Sequence, residues 1–505
     1  MNVDERIREQ AARFPDRAAL VEGRGRRRRD LSFAEFNERT ARGAAFLKHA
    51  GHQAGDRVLF CHPVSIDLYV GLLAVMRAGL TAMFTDPGQG RSFLEASVVD
   101  HPPCALLGGI KARFARFLSP ALRRIPRRYG LNNLTKENGI LSPGRDPIPE
   151  DTAAMITFTS GSTGRPKGIV RTHRFLGSQH RALEKTLDLK EGEVDLVTLP
   201  MFVLANLASG VTSVLADMDF ARPASTDGAA VCRQARACGV TRASASPAFF
   251  ESVLSSGTPA PDLNKVFVGG APVSPQLLET LRNLLPGAAI TAVYGSSEAE
   301  PIAVLDQRTV TPHDVRRMRE GAGLLAGEPV PEIRCALIPE DGSSPDLDRN
   351  SGKCGEIVVA GEHVLDHYLD ARDEEDRKLH FHGGTWHRTG DAGYFDEHGR
   401  LWLLGRCEAA FTDPAGERRY PLEVETPANS LPEVRRSAAL LHHGVPSLFV
   451  ELKREARPSR ELSKAIFARL PRRAITEVRF TNQIPVDRRH NAKIDYVALK
   501  KILGP

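Results

Sequence analysis

The sequence predicts an α/β protein, with a large N-terminal domain of layered α/β subdomains that includes a β-rich subregion, and a small mobile α+β domain at the C-terminus. Three observations carry this. Apolar strand-like runs alternate with helical stretches between residues 57 and 293, the order that builds a parallel sheet covered by helices. Beyond Ala326 the pattern changes to period two, at 333–338, 356–359 and 401–404. A chain of 505 residues also exceeds what one hydrophobic core organises.

Taken in order, residues 4–14 have the spacing of a short amphipathic helix with Ile7, Ala11 and Phe14 on one face. The Arg-rich run after Val21 reads as a hairpin tip. Ser32 then opens a helix over about 33–50, and Gly51 stops it. Strands at 57–61 and 80–84 flank a helix at 66–78, and the turn 85–91 lies where ligands of open α/β sheets bind. Residues 119–149, rich in Pro and Arg, lack periodicity and read as a surface excursion. A helix at 173–186, strands at 196–199, 265–268 and 289–293, and a small-residue apolar stretch at 201–215 continue the layer. The favoured domain boundary is Gly405-Arg406, so that residues 1–404 form the large domain, 405–408 a hinge and 409–505 the small domain. That last part reads as a turn at 413–416, a short helix with Glu423, strands near Ala438 and Leu448, a helix at 461–470 and a strand at 477–480.

Composition excludes some functions. A content of 41% hydrophobic and 26% charged residues is that of a folded soluble protein, and a net charge of +6 is small for the length. The basic clusters 24–29 and 123–128 read as solvated turns without the aromatic interleaving of a nucleic-acid groove, so no nucleic acid is expected. They are also the sole hint of contact with an anionic membrane. The scattered cysteines at 61, 104, 232, 238, 335, 354 and 407 lack paired spacing and read as reduced core thiols. With a charged N-terminus and no apolar run of spanning length, a cytoplasmic location is expected.

The chemistry concentrates at residues 157–168, read as a loop after the strand end at 153–156. Hydroxyls, glycines and Lys167 in one short stretch suit a polyphosphate, because glycines let backbone N–H groups approach phosphate oxygens and the cation supplies charge. The spacing differs from the Walker pattern. By itself the stretch reads equally as a flexible linker. Two more strand ends deliver Gly269-Gly270-Ala271-Pro272 and Tyr294-Gly295-Ser296-Ser297-Glu298. His380, His382 and His387 crowd one segment without a closed ligand set and read as a solvated loop. Phe202, Leu204, Asn206 and Phe249 read either as acyl-pocket residues or as core packing.

Four separated stretches stand in the order expected of one family: 159–168, 294–298, Arg388-Thr389-Gly390-Asp391 with Gly405-Arg406, and Lys493. Together they resemble the acyl-adenylating (AMP-forming) superfamily of acyl-CoA synthetases, peptide-synthetase adenylation domains and luciferases, over nearly the whole chain. Residues 86–91 and 485–494, with Arg-His-Asn-Ala-Lys-Ile at the end, are similar to the β-lactone synthetases of bacterial long-chain olefin biosynthesis.

The resemblance implies ATP and Mg²⁺ as cofactors. It places the β- and γ-phosphates at Thr159, Ser160, Gly161, Ser162, Thr163, Gly164 and Lys167, and Mg²⁺ at Glu298. Adenine would lie along the 269–272 turn, Tyr294 and Gly295, with Ser296 and Ser297 in the same segment; Asp391 and Arg406 would bind the ribose hydroxyls. Lys493 would reach the α-phosphate and carboxylate, and His490 or His173 is a candidate base. The implied substrate is a long-chain 3-hydroxy acid, supplied by a thiolase-type upstream partner. The implied reaction is adenylation followed by closure to a β-lactone. Alternatives are an acyl-CoA ligase, a ligase loading a carrier protein, and a non-catalytic nucleotide-binding module. Glu408, with Ala409-Ala410-Phe411, departs from the family's usual hinge, and 413–421 departs from the common loop of CoA ligases, which weighs against CoA as acceptor.

Overall fold

The structure, a computed structural model, describes residues 2–109, 114, 117, 119–134, 147–160, 165–340, 344–349, 352–375, 377–487 and 493–503. The expected α/β architecture is borne out. Helices begin where the sequence supplies caps. Ser32 Oγ accepts from Glu35 N and the Glu35 carboxylate accepts from Ser32 N, which opens the helix Phe33–His49. Thr172, Ser246 and Ser274 cap three later helices in the same way, through a hydroxyl accepting a backbone N–H.

Two large sheets carry the first four-fifths of the chain. In a six-stranded sheet, Arg127–Gly130, Ala105–Gly108, Arg57–Cys61, Thr81–Phe84 and Ala153–Ser160 run parallel in that spatial order, and Pro166–Thr172 closes the edge antiparallel. A second sheet of fourteen strands begins with the hairpin Ala18–Glu22 and Arg29–Ser32. It continues through Thr212–Leu215, Val194–Val197, Arg242–Ala245, Lys265–Gly269 and Ala289–Ser296, all parallel. It then turns antiparallel through Ala299–Asp306, Leu324–Pro329, Leu401–Arg406, Gly384–Phe395, Gly355–Ala360 and Arg334–Pro339. The switch to antiparallel pairing falls at the turn between Ala289–Ser296 and Ala299–Asp306, ahead of the period-two pattern that begins beyond Ala326.

The last hundred residues build a three-stranded sheet, Val434–His442, Val445–Leu452 and Glu477–Thr481, with the helices Pro421–Asn429, Arg460–Arg469 and Tyr496–Leu503. They have cores of their own, one around Val424, Leu448 and Ile466 and another around Ala438, Phe449 and Leu499.

Three expectations need correction. Residues 157–160 and 166–168 are strand rather than loop: Ala153–Ser160 and Pro166–Thr172 pair antiparallel with Thr157 opposite Ile169 and Ser160 opposite Pro166, while 161–164 lie outside the described residues. Alternating Thr, Phe and Ile favours strand where the hydroxyl and glycine content suggested irregular backbone. The excursion at 119–149 contains the strand Arg127–Gly130, which owes its place to pairing with Ala105–Gly108 rather than to its own residues. Of the cysteines, all free, only Cys232 and Cys335 are buried, and Cys354 is exposed.

Candidate active site

The site is built at the ends of strands from both large sheets. Gly384–Phe395 and Leu401–Arg406 pair with Asp391 directly opposite Arg406. They are held in register by Tyr394 stacked on Trp402, with ring centroids 5.9 Å apart, and by Trp402 Nε1 donating to Asp396 Oδ2 at 2.9 Å. Arg406 Nη1 donates to Asp391 Oδ1 at 3.0 Å and to the Thr389 carbonyl at 2.9 Å. Across from them, the Tyr294 hydroxyl at the end of Ala289–Ser296 donates to Asp391 Oδ2 at 2.8 Å. Residues 97 and 15 positions apart in the chain thus meet on one carboxylate.

Burial, with Asp391 adding to it, pushes the Tyr294 phenol well above its ordinary pKa, so it stays a neutral donor. Burial works to discharge Arg406, but Asp391 and Glu408 outweigh it and hold the guanidinium charged. Gly390 is required here: it takes φ +73°, and a Cβ would come within 2.8 Å of Arg406 Nη2 and 3.0 Å of Arg377 Nη1.

The hairpin is tied to the Tyr294 turn by Arg171, a buried residue. Its Nη1 donates to Thr157 Oγ1 at 2.6 Å and its Nη2 to the Ser297 carbonyl at 2.7 Å. Thr159 faces Lys167 across the hairpin, and Lys167 Nζ lies 3.8 Å from Asp373 Oδ1. Gly161, Ser162, Thr163 and Gly164, at the tip, lie outside the described residues, and of Ser160 only the strand position is described. One strand over from Tyr294, Gly269 pairs with Val293, and Gly270 at φ +83° turns the chain into Ala271 and Pro272.

Glu298 occupies the turn after Ser296, whose Oγ accepts the Glu298 and Ala299 N–H groups. The Tyr368 hydroxyl donates to Glu298 Oε1 at 3.4 Å. Burial would raise the Glu298 pKa, yet His387, its own backbone N–H, Arg171 and Arg377 outweigh that and hold the carboxyl below its ordinary value. Burial in turn drives His387 down to about 4 despite Glu298, so its ring is neutral near pH 7. Arg171 and Arg377 therefore remain as the cations that keep Glu298 ionised.

The structure does not bring every expected residue to this group. Lys493 is exposed, in a small hairpin where its N–H donates to Asp487 Oδ1 at 2.9 Å and its carbonyl accepts from Asp487 N at 2.7 Å. No described contact joins it to Tyr294, Asp391 or Arg406. His490 lies outside the described residues. His173 is buried, its charge suppressed by burial, with Asp4 and Glu5 of the helix Val3–Arg13 as the acids nearby, which places it under that helix. Phe202, Leu204, Asn206 and Phe249 are core residues, and Asn206 Nδ2 donates to Asp195 and Ser213.

The family described as AMP-binding enzyme matches residues 7–369. The chain belongs to that family. It is 33% identical to the olefin β-lactone synthetase of Stenotrophomonas maltophilia over 98% of this chain and 96% of that protein. To the olefin β-lactone synthetase of Xanthomonas campestris pv. campestris it is 34% identical, over 92% and 89%. In fold it is similar to the O-succinylbenzoate coenzyme A synthetase of Bacillus subtilis solved with ATP and magnesium ion. There the TM-score is 0.79 and the identity 22%, over 98% of this chain and 99% of that one. As an AMP-binding enzyme the chain is an AMP-forming ligase that uses ATP.

Four residues of this AMP-binding enzyme's site escaped sequence reasoning: Arg171, Tyr368, Arg377 and His387. His387 was read as part of a solvated histidine cluster, but it is buried on Gly384–Phe395 while His380 is exposed. The usable signal was its place one residue before Arg388-Thr389-Gly390-Asp391, which in a period-two strand puts it on the same face as Thr389 and Asp391. Nothing local marks Arg171, because its partners lie 14 and 126 residues away.

Proposed function

We propose that this protein uses Mg·ATP to activate a long-chain 3-hydroxy acid as its acyl adenylate and then closes the adenylate to a β-lactone, releasing AMP and pyrophosphate. The observation that supports it is the identity of a third with two olefin β-lactone synthetases over nearly the full chain. On this reading residues 1–404 bind ATP and acid, 405–408 flex, and 409–505 carry Lys493 to the reacting atoms.

The residues present fit the ligands. Asp391 and Arg406 offer an acceptor and a donor for vicinal ribose hydroxyls, and their hydrogen bonds to Tyr294 and Thr389 orient both before nucleotide arrives. Glu298, kept ionised and accepting only weakly from Tyr368, is the carboxylate suited to a hard divalent ion. Such an ion would neutralise phosphate charge. Thr159 and Lys167 would hold the leaving pyrophosphate.

A substrate carboxylate oxygen then attacks the α-phosphorus as the bond to pyrophosphate breaks, and the Lys493 ammonium offsets the negative charge that gathers there. In the second step the substrate's 3-hydroxyl attacks the acyl carbon, the bond to AMP breaks and the hydroxyl proton is released. Holding nucleophile and electrophile in one molecule gives effective molarities of about 10⁵ M or more, which offsets part of the ring strain. The test is incubation of enzyme, ATP, Mg²⁺ and a long-chain 2-alkyl-3-hydroxy acid with and without CoA, followed by mass spectrometry. A lactone formed without CoA is expected. A product seen only as a CoA thioester would overturn lactone closure and leave adenylation standing. Lys493→Ala is expected to abolish pyrophosphate release while AMP still binds, and unchanged turnover would remove Lys493 from the mechanism.

A further inference from the structure

The surface that follows the helix Arg91–Asp100 takes no part in the group around Asp391, and it differs chemically from the rest of the chain. Between Asp100 and Glu137 there is no Asp or Glu, while Lys111, Arg113, Arg116, Arg123, Arg124, Arg127, Arg128 and Lys136 all fall there. Of the four in the described part, Arg123, Arg124 and Arg127 are exposed and Arg128 is half-buried. Arg127 donates to the Ala50 carbonyl at 2.6 Å and Arg123 to the Phe117 carbonyl at 3.5 Å, and among the described residues none of the three pairs with a carboxylate. Glu95 on the neighbouring helix is taken by Arg91 at 2.9 Å, and Asp100 and Asp56 are acids at the border.

Large apolar side chains protrude from the same place. Phe114 is 64% exposed, Phe117 59% and Val99 57%. They emerge from adjoining elements. Arg91–Asp100 and Pro120–Arg123 bury Phe93, Val98, Ala121 and Leu122 together against Leu59 and Leu106, which uses up the inward face and leaves Val99 outward. The bond from Arg123 holds the Phe117 backbone beside the second helix. Two exposed phenylalanines three residues apart thus stand in a stretch whose charged residues are all cationic, with the exposed Arg123 bonded to the second.

We propose that this surface docks on an anionic lipid bilayer, with Phe114, Phe117 and Val99 entering the boundary between headgroups and acyl chains and the arginines lying against lipid phosphates. Charge decides the occupant: exposed Arg123, Arg124 and Arg127, none paired with a carboxylate among the described residues, beside exposed aromatic rings complement a negatively charged leaflet. Each arginine near such a leaflet strengthens binding about fivefold and each phenylalanine that leaves water about tenfold, so the two kinds of contact must act together. The inference is independent of the reaction assigned above.

The test is co-sedimentation of the full-length protein with vesicles of phosphatidylcholine alone and of phosphatidylcholine with phosphatidylglycerol, at low and high salt. Binding to the anionic vesicles only, weakened by salt, is expected. Phe114→Ser/Phe117→Ser and Arg123→Glu/Arg124→Glu are each expected to weaken it more than tenfold with the circular dichroism spectrum unchanged. Equal binding to both vesicle types, no binding, or full binding by the double variants would overturn the proposal. Concentration-dependent self-association without lipid, lost in Phe114→Ser/Phe117→Ser, would overturn it in favour of a second copy of the chain.

Discussion

Asp391 accepts from a neutral phenol and a held guanidinium at once, and the consequences of removing either donor differ. Tyr294→Phe deletes one hydrogen bond to a carboxylate, worth about 1.5–3 kcal/mol, and leaves the Arg406 contact in place. That bond is present without nucleotide, so the unfolding free energy in urea is expected to fall by about that amount, and AMP binding by calorimetry to weaken about tenfold as Asp391 loses its orientation. Arg171 behaves otherwise, since its charge is buried and its bonds hold two strands together. Arg171→Met is expected to lower unfolding free energy in urea by about 2–4 kcal/mol and to abolish pyrophosphate release as well. A variant that keeps full stability and activity would show that the link from Thr157 to Ser297 is not needed.

Among the elements, the helix Tyr496–Leu503 follows directly on the segment bearing Lys493, and its anchor is polar. The Tyr496 hydroxyl donates to Glu425 Oε1 at 2.6 Å, and Ala439 N donates to the same oxygen at 2.9 Å. Burial raises the Glu425 carboxyl from 4.5 to about 7, and these two bonds only partly oppose it. The folded chain therefore binds this proton more tightly than the unfolded one, and stability falls as pH rises. The loss begins near pH 4.5 and is complete just above 7, to a total of about 3 kcal/mol. Glu425→Gln keeps the shape without the titration. Its melting temperature is expected to gain on the wild type between pH 4.5 and 7 and to run parallel above that; a constant gap across the range would contradict the account.

On the scale of the molecule, the last hundred residues bury their own apolar side chains in two clusters and share with the rest a contact around Tyr420, whose hydroxyl donates to Glu340. A fragment 409–505 is accordingly expected to fold alone and to melt cooperatively by circular dichroism, at a lower temperature than the whole chain because Tyr420 loses its partner. A featureless melt would argue that the boundary at 405–408 does not separate domains. Among the described residues no helix is long and apolar enough to cross a membrane.

What the sequence determined by itself was whatever rests on short range. Periodicity and caps set the alternation of helices and strands, whereas the end of parallel pairing, at the turn before Ala299, precedes the change to period two beyond residue 326. The resemblance carried by 294–298, 388–391 and 405–406 singles out Tyr294, Asp391 and Arg406. Tertiary structure decided the rest. The phosphate-like stretch is two strands because each finds a partner in the other, and Arg127–Gly130 is a strand because Ala105–Gly108 offers it an edge. His387 and Arg171 became site residues only when strands from distant parts of the chain were laid side by side. Hydrogen bonds and burial act through space, and a local sequence pattern carries no record of a partner more than a hundred residues away.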